Sequence, residues 1–462
     1  MLHQASFQSL RERYRRKELS PVDVARSALD HAERVNPRLN AFALIDRDAA
    51  LAAARASEQR WHCGRPAGPL DGMPLAVKEF AAVRGWPTRR GSLVSSPQPA
   101  EQSTPFVQRL EDAGAVLLGK TRAPEFNWKG VTDSPGFGIT RNPWDLSLTP
   151  GGSSGGCSAA VAAGIVRVSL GSDAGGSIRI PAAFTGMLGL KPTFGRVPVA
   201  PLPSAFSNVV HTGPIASDIH DLKEVYGVVS GPSAADWTSS LPVPAVAGDS
   251  TRPPASLRIG LLASKRWDDS VPAVKKGMAR MLAVLAQAGL SPREVDYDVA
   301  AASAVAAGFY RVGCAAAVRN VDPSLHAQLD PGLLAFSQDA AAMTLPEYLL
   351  LCQQRDMHAN QLCALFDQVD VLMLPTLPIC AFEAGRNTPA GWPGDDWMTW
   401  NPYTPAFNAA QAPALSFPVW PDGHGGLPVG VQFVAPKYCE DRLLALAGLL
   451  QAELPIRVAD LD

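Results

Sequence analysis

With 462 residues, the chain is long enough for about three average domains or one large α/β domain. Hydrophobic residues make up 47% of it and charged residues 18%, a composition that excludes a disordered or solvating chain. Lys+Arg 41 against Asp+Glu 43 gives a formal net charge of -2, which removes the positive field that nucleic-acid binders rely on and leaves a small molecule as the expected partner.

Ser20, Pro21 and Asp23 read as N-cap, N1 and N3 of a helix over 21–36, with Val24, Ala25, Ala28, Leu29, Ala32 and Val35 on its apolar face. After the turn Leu70-Asp71-Gly72, the apolar run Met73 to Val77 suits a strand buried on both faces, and it ends on Lys78. A helical period over Thr104 to Ala113 leads to a second short buried strand, Ala115 to Leu118, and this alternation indicates α/β layers. The stretch 130–156, dense in Gly, Pro, Ser and Thr, reads as loop before a small-residue helix at Ala159 to Ala163. A Pro-rich linker at 240–256 marks a soft internal boundary, and Leu257 to Leu262 begins a fresh strand. The region 268–370 reads as mostly helical, and Val371 to Pro375 returns to the sheet.

The seven cysteines (Cys63, Cys157, Cys314, Cys352, Cys363, Cys380 and Cys439) include no C-x-x-C pair. That spacing argues against a disulfide framework or a thiolate zinc site and fits a reducing, cytoplasmic compartment. The apolar run Ala159 to Val166 stops at Arg167, short of the ~18 residues of a membrane span. The basic N-terminus lacks an apolar h-region, so neither a membrane nor a secretory signal is expected. No His pair has helical ligand spacing, and no metal or other cofactor is expected.

The chemistry concentrates in Pro150 to Pro181, where two Gly/Ser loops flank a helix and a strand. Glycine clusters of this kind let backbone N–H groups converge on an anion or an oxyanion. Gly151 and Gly156 have the spacing of a P-loop, but Cys157-Ser158 follow where Lys and Ser/Thr are needed. Gly151 to Gly155 also matches G-x-S-x-G, the nucleophile elbow, with His424 as the available histidine; Pro143 and Pro150 stand where its strand should run.

GGSSGG (151–156), then GSDAGGSIRIPA (171–182), preceded by Gly72 to Lys78, resemble the amidase signature family. Ser153 lies 75 residues after Lys78 and 24 before Ser177, spacings similar to the family's. LNAF (39–42), LGKTRAPEF (118–126), GITRNPWD (138–145), GLKPTFGRVP (189–198), HTGPIASDIHDL (211–222) and GLPVGVQFV (426–434) carry the resemblance almost end to end. It implies one large α/β domain over 1–462, with a twisted mixed sheet of about ten strands covered by helices on both faces. The region 268–370 would form a helical subregion beside the active-site mouth.

The resemblance implies a Ser-Ser-Lys triad of Ser177 as nucleophile, Ser153 as proton shuttle after a cis Gly152–Ser153 peptide, and Lys78 as base. A serine hydroxyl needs an adjacent base, and a lysine serves only when burial makes it neutral. A hydroxyl both donates and accepts, so Ser153 can relay between the two. The N–H groups of Ala174, Gly175, Gly176 and Ser177 would form the oxyanion hole, with Ser154, Asp173 and Arg179 in support.

The family's leaving-group pocket maps onto segments bearing Trp128, Trp397, Trp400, Tyr403 and Phe407, which implies an apolar or aryl-bearing amide. Carbamates and urea-type substrates stay open. So does the glutamine-hydrolysing component of the tRNA-dependent amidotransferase, although Asn401 stands where that protein has an Asp and no Arg occurs between 328 and 336. Outside catalysis stands a silent scaffold protein of the same fold, and a homodimer is left open.

Overall fold

Hydrogen bonding along the chain defines the strands β1 (Phe42–Ile45), β2 (Pro74–Lys78), β3 (Val116–Thr121), β4 (Asp133–Ser134), β5 (Gly138–Ile139), β6 (Val168–Asp173), β7 (Leu188–Lys191), β8 (His211–Ala216), β9 (Ile259–Leu262), β10 (Arg293–Val295), β11 (Val371–Pro375), β12 (Ala414–Val419) and β13 (Val429–Val434). The structure is a computed structural model and describes residues 1–462 except 202–205, 207, 240–255, 424, 462 and the Asp339 side chain. The Pro-rich linker, apart from Ser256, and His424 therefore lie outside the described residues.

Eleven strands, against the ten or so expected, form one sheet in the order β1-β3-β2-β6-β8-β7-β12-β13-β11-β9-β10, while β4 and β5 make a separate ribbon. Two parallel wings, β3-β2-β6 and β11-β9-β10, are joined by antiparallel pairings from β6 through β8, β7, β12 and β13 to β11. Strands from both sides of 240–255 thus enter the same sheet.

The wings are apolar on both faces because helices cover both. In β2, Leu75 and Val77 join one core cluster and Ala76 another; in β3, Leu117 opposes Val116 and Leu118; in β11, Val371 and Met373 oppose Leu372 and Leu374. This period of two is what a pleated strand imposes, and apolar side chains on both sides mark full burial. Helices Pro105–Asp112, Ile219–Val229, Pro272–Gln287 and Glu440–Glu453 pack on one face, with Pro21–Leu39 and Gly155–Ala162 on the other.

Several element ends differ from the sequence expectation. The first predicted helix starts at Pro21 but runs to Leu39 rather than 36, closed by Asn40 in the left-handed region at φ 50°. Strand β3 continues past Leu118 to Thr121 because Lys120 and Thr121 pair with β1 and β2. The 130–156 loop contains the β4–β5 ribbon, and its helix begins at Gly155 rather than Ala159. The helical region holds Pro272–Gln287, Val299–Arg319, Pro331–Ala341 and Leu345–Phe366, but also strand β10.

Val299–Arg319 is long and apolar enough to cross a membrane by length and composition, which the sequence reading overlooked. Here its apolar residues serve packing: Val299 and Ala302 enter a cluster with β11, while Phe309, Tyr310 and Cys314 enter an aromatic cluster.

Two glycines separate close approach from mere flexibility. A Cβ at Gly156 would meet Arg122 N at 2.5 Å and Ala41 O at 2.6 Å, whereas Gly227, on the exposed side of its helix, has nothing within 4 Å. Urea denaturation should show Gly156→Ala destabilised by about 1–3 kcal/mol or more. Gly227→Ala should gain about 0.5–1 kcal/mol from helix propensity.

Candidate active site

Lys78 shares its side of β2 with Ala76, and so leaves the strand on the face covered by the Gly155–Ala162 helix. It is fully buried, and its Nζ lies 2.7 Å from Ser153 Oγ and 3.0 Å from Ser172 Oγ. Burial brings its pKa down from 10.5 to about 7, against the opposing pull of Cys157, Asp173 and Glu79. A lowered lysine is not by itself diagnostic, since burial also brings Lys120 to about 7. Lys120 Nζ, however, donates to Pro87 O and Thr88 Oγ1 and meets no serine.

The two Gly/Ser loops are tied to one another. Ser154 N–H donates to Ser177 O at 3.1 Å, and Ser154 Oγ donates to Ser172 O and accepts from Ser172 N. That approach needs a glycine on β6, because a Cβ at Gly171 would stand 2.7 Å from Ser154 Oγ. The Gly152–Ser153 peptide is cis. No strand runs into Ser153, so the elbow geometry is absent, and the GGSSGG glycines are filled around by protein, not shaped as a phosphate cradle: Gly152 packs on Val131 and Gly155 on Thr132. Ser177 is 2% exposed, and its Oγ has no hydrogen-bond partner among the described residues. Cys157, beneath Lys78, is held neutral by burial, which pushes its thiol up.

Asp173 ends β6 and fixes the loop that follows. Its carboxylate accepts from Gly176 N–H at 2.6 Å, Ile178 N–H at 3.1 Å and Arg179 Nε and Nη2 at 2.9 Å each. Burial alone would push this carboxyl up; the Arg179 charge and hydrogen bonds outweigh it and hold it below the ordinary carboxylate range. Arg179 satisfies its remaining donors on Thr404 O, Gln432 Oε1 and Asn408 Oδ1. Of the four amides expected to line an oxyanion hole, that of Gly176 is already given to Asp173. The N–H groups of Ala174, Gly175 and Ser177 are the ones with no protein acceptor among the described residues. Gly175 O accepts from Asn401 Nδ2 and Thr404 Oγ1, at 2.7 and 2.9 Å, which turns the peptide.

The structure separates the aromatic residues expected at the pocket. Trp128, Trp397 and Trp400 share a cluster with Tyr310, Phe206 and Phe336, and a Cβ at Gly175 would touch Tyr310 at 3.3 Å and Trp397 at 3.8 Å. Trp128 and Trp400 are buried, with indole N–H groups committed to Asp330 and Asn387 O, so they form a wall behind the site. Tyr403 and Phe407 are not brought there; they lie in a different cluster with Tyr297 and β11, because the turn at Thr404 sends its neighbours to the opposite side. Sequence reasoning missed Tyr310, whose acidity Ser177 influences and whose hydroxyl donates to Asn127 O. It also missed Ser172, Thr404 and Asn408, although Ser172 stands inside GSDAGGSIRIPA and Asn408 inside the family-like segment FNAAQAP (407–413).

A cavity of about 350 Å³ adjoins this wall, lined by Phe80, Arg90, Val94, Phe126, Asn127 and Phe206 among others. Two of its lining rings lie near the site: that of Phe80 is 5.9 Å from Lys78 Nζ, and that of Phe206 is 5.1 Å from that of Tyr310. Arg179→Met, which leaves Asp173 buried without its cation, should lower unfolding free energy by about 3–5 kcal/mol in urea titrations. Because Asp173 sits below its ordinary range when folded, the native pair stabilises above that range. That stability is lost as pH falls from about 5, and the variant should show a smaller acid loss.

The sequence model of the Amidase family matches residues 23–444. The A component of the glutamyl-tRNA(Gln) amidotransferase of Acidothermus cellulolyticus is 34% identical over 472 aligned positions, covering 94% of this chain and 92% of that protein. Among solved structures, the one that "reveals the evolutionary origins of an s-triazine catabolic enzyme" superposes with a TM-score of 0.88 at 30% identity, covering 98% of this chain and 100% of that one. A bacterial aryl acylamidase superposes with a TM-score of 0.89 at 27% identity, covering 98% and 97%. Matched from end to end in sequence and in fold, the chain belongs to the amidase signature family of C–N hydrolases.

Proposed function

We propose that this chain hydrolyses the amide bond of an apolar or aryl-bearing substrate through an acyl-enzyme on Ser177. The reading rests above all on a fully buried lysine, Lys78, at 2.7 Å from a serine whose loop is bonded to Ser177. Neutral Lys78 accepts the Ser153 proton while donating to Ser172 Oγ, and Ser153 takes the proton of Ser177 as Ser177 Oγ attacks the carbonyl carbon. Ser177 Oγ has no partner among the described residues, which leaves it available to donate to Ser153 when substrate is bound. The amides of Ala174, Gly175 and Ser177 receive the developing oxyanion. The proton returns through Ser153 to the leaving nitrogen, and water releases the acid by the reverse route.

The aromatic wall and the phenylalanines of the adjoining cavity support an apolar or aryl group beside the scissile bond. A second reading, glutamine hydrolysis as the A component of an amidotransferase, is favoured by the curated relatives, several of which carry that name. Against it, Asn401 is engaged on Gly175 O, and the acid of 328–336, Asp330, is engaged by Trp128 and Lys129.

Acetanilide, butyramide, a phenyl carbamate and glutamine, assayed side by side, decide between them. The expected order places the anilide first in kcat/KM, and glutamine in first place would overturn the aryl-amide reading in favour of the second.

Ser177→Ala should lower kcat by several orders of magnitude with an unchanged melting temperature, and an acyl adduct trapped on Ser153 would contradict the assignment. For Lys78, kcat/KM should rise with pH through about 7 and plateau above it, since only the neutral amine accepts a proton. Lys78→Arg should be nearly inactive at every pH, because a guanidinium stays charged.

A further inference from the structure

The cavity beside the site carries a cation, Arg90, that no acid among the described residues pairs with. Arg90 lines it with Phe80, Val94, Phe126 and Phe206, and its guanidinium has no hydrogen bond or ion pair among the described residues. Its neighbours do not compensate. Asp322, at the rim, is exposed and caps its own turn through Ser324 N and Oγ. Lys120, near enough to feel Arg90, is itself brought down to about 7 by burial, and the nearby acid Glu79 is engaged by Ala123 N and acts on Lys120 and Arg122.

The backbone holds Arg90 in this position from both directions. Arg90 O accepts from Phe126 N at 2.8 Å, and a Cβ at the following Gly91 would overlap Ala123 O at 2.5 Å, so the loop lies hard against the chain after β3. Arg90, Phe126 and Asn127 adopt φ of 52°, 46° and 62°, and all three line the cavity. Non-glycine residues in the left-handed region are uncommon and collect at sites that bind ligands. Asn127 then joins the cavity to the site by accepting from Tyr310, whose ring lies against Gly175.

Arg90 is half-buried among phenylalanines, so its guanidinium, without a partner among the described residues, has lost part of its water, and a carboxylate gains more from it there than from a fully exposed arginine. We infer that Arg90 is a specificity residue that receives a carboxylate on the substrate, so that the preferred amides carry an apolar segment ending in an acid. The inference rests on the amide-hydrolase reading.

Two matched pairs of anilides test it: succinanilate against butyranilide, with the charge in the acyl part, and 4-acetamidobenzoate against 4-methylacetanilide, with the charge in the leaving group. The wild-type enzyme should favour the acid in one pair by about tenfold or more in kcat/KM, as a charge-assisted contact gives. Arg90→Met should erase that preference, raising KM for the acid by about tenfold more than for its neutral partner. Arg90→Lys should restore part of it, and added salt should weaken it in the wild type. A wild type indifferent to charge in both pairs, or a preference that survives Arg90→Met, overturns the inference. If no anilide turns over, the reaction assigned above fails instead. Calorimetric binding of the same four compounds to Ser177→Ala then decides Arg90 separately, with acids bound no more tightly than their neutral partners counting against it.

Discussion

A single buried carboxylate organises the site. Asp173 ends a central strand and gathers the amides of Gly176 and Ile178, the Arg179 guanidinium and the Asn408 side chain. Arg179 carries the same constraint outward to Thr404 and Asn408, on the chain before β12, and to Gln432 on β13. An ion pair fully removed from water is weak evidence for stability, since an apolar pair of equal volume often does as well. Its value here is directional. A fork with every donor assigned allows one shape for residues 173–179, and that shape presents Ser177 and leaves three neighbouring amides without acceptors.

The lysine depends on that shape. Lys78 leaves β2 fully buried, and what makes it useful is that Ser153 and Ser172 stand on it while Ser154 ties their loops together. Lys120 and Lys191 are equally withdrawn from water and equally lowered in direction, yet their ammonium groups meet backbone carbonyls and the Thr88 hydroxyl. Burial lowers the proton affinity of all three, and what sets Lys78 apart is its two serine neighbours.

Much of this is legible in the chain itself. The apolar run into Lys78, the spacing of Ser153 and Ser177 and the alternation of helices with short strands are local signals, because a strand buried on both faces must be apolar throughout and a tight loop must be rich in glycine. Element ends are less legible. Nothing within Lys120 and Thr121 tells that they extend β3, since that extension comes from partners on β1 and β2. The helix-like composition of 268–370 conceals β10, which is a strand only because β9 lies parallel to it.

The sequence by itself determined the family, the two-faced character of the parallel strands and the candidate residues for the proposed chemistry, because these reside in residue type, period and spacing along one chain. Tertiary structure alone decided which of those residues meet. Trp128 and Trp400 stand behind the site, while Tyr403 and Phe407, a few positions further along, turn into another core. Gly176 spends its amide on Asp173, and Tyr310, from a helix that composition marks only as apolar, comes to rest against Gly175. Arg90 is one of two adjacent arginines with nothing in their sequence to separate them. Arg89 donates to Ser92 O and Leu93 O, and the left-handed turn of the backbone sets Arg90 in the cavity, without a partner among the described residues. The physical reason is the same in each case: a side chain's charge, size and donors are carried in its identity, but its direction and its neighbours are set by distant segments that only the closed fold brings near.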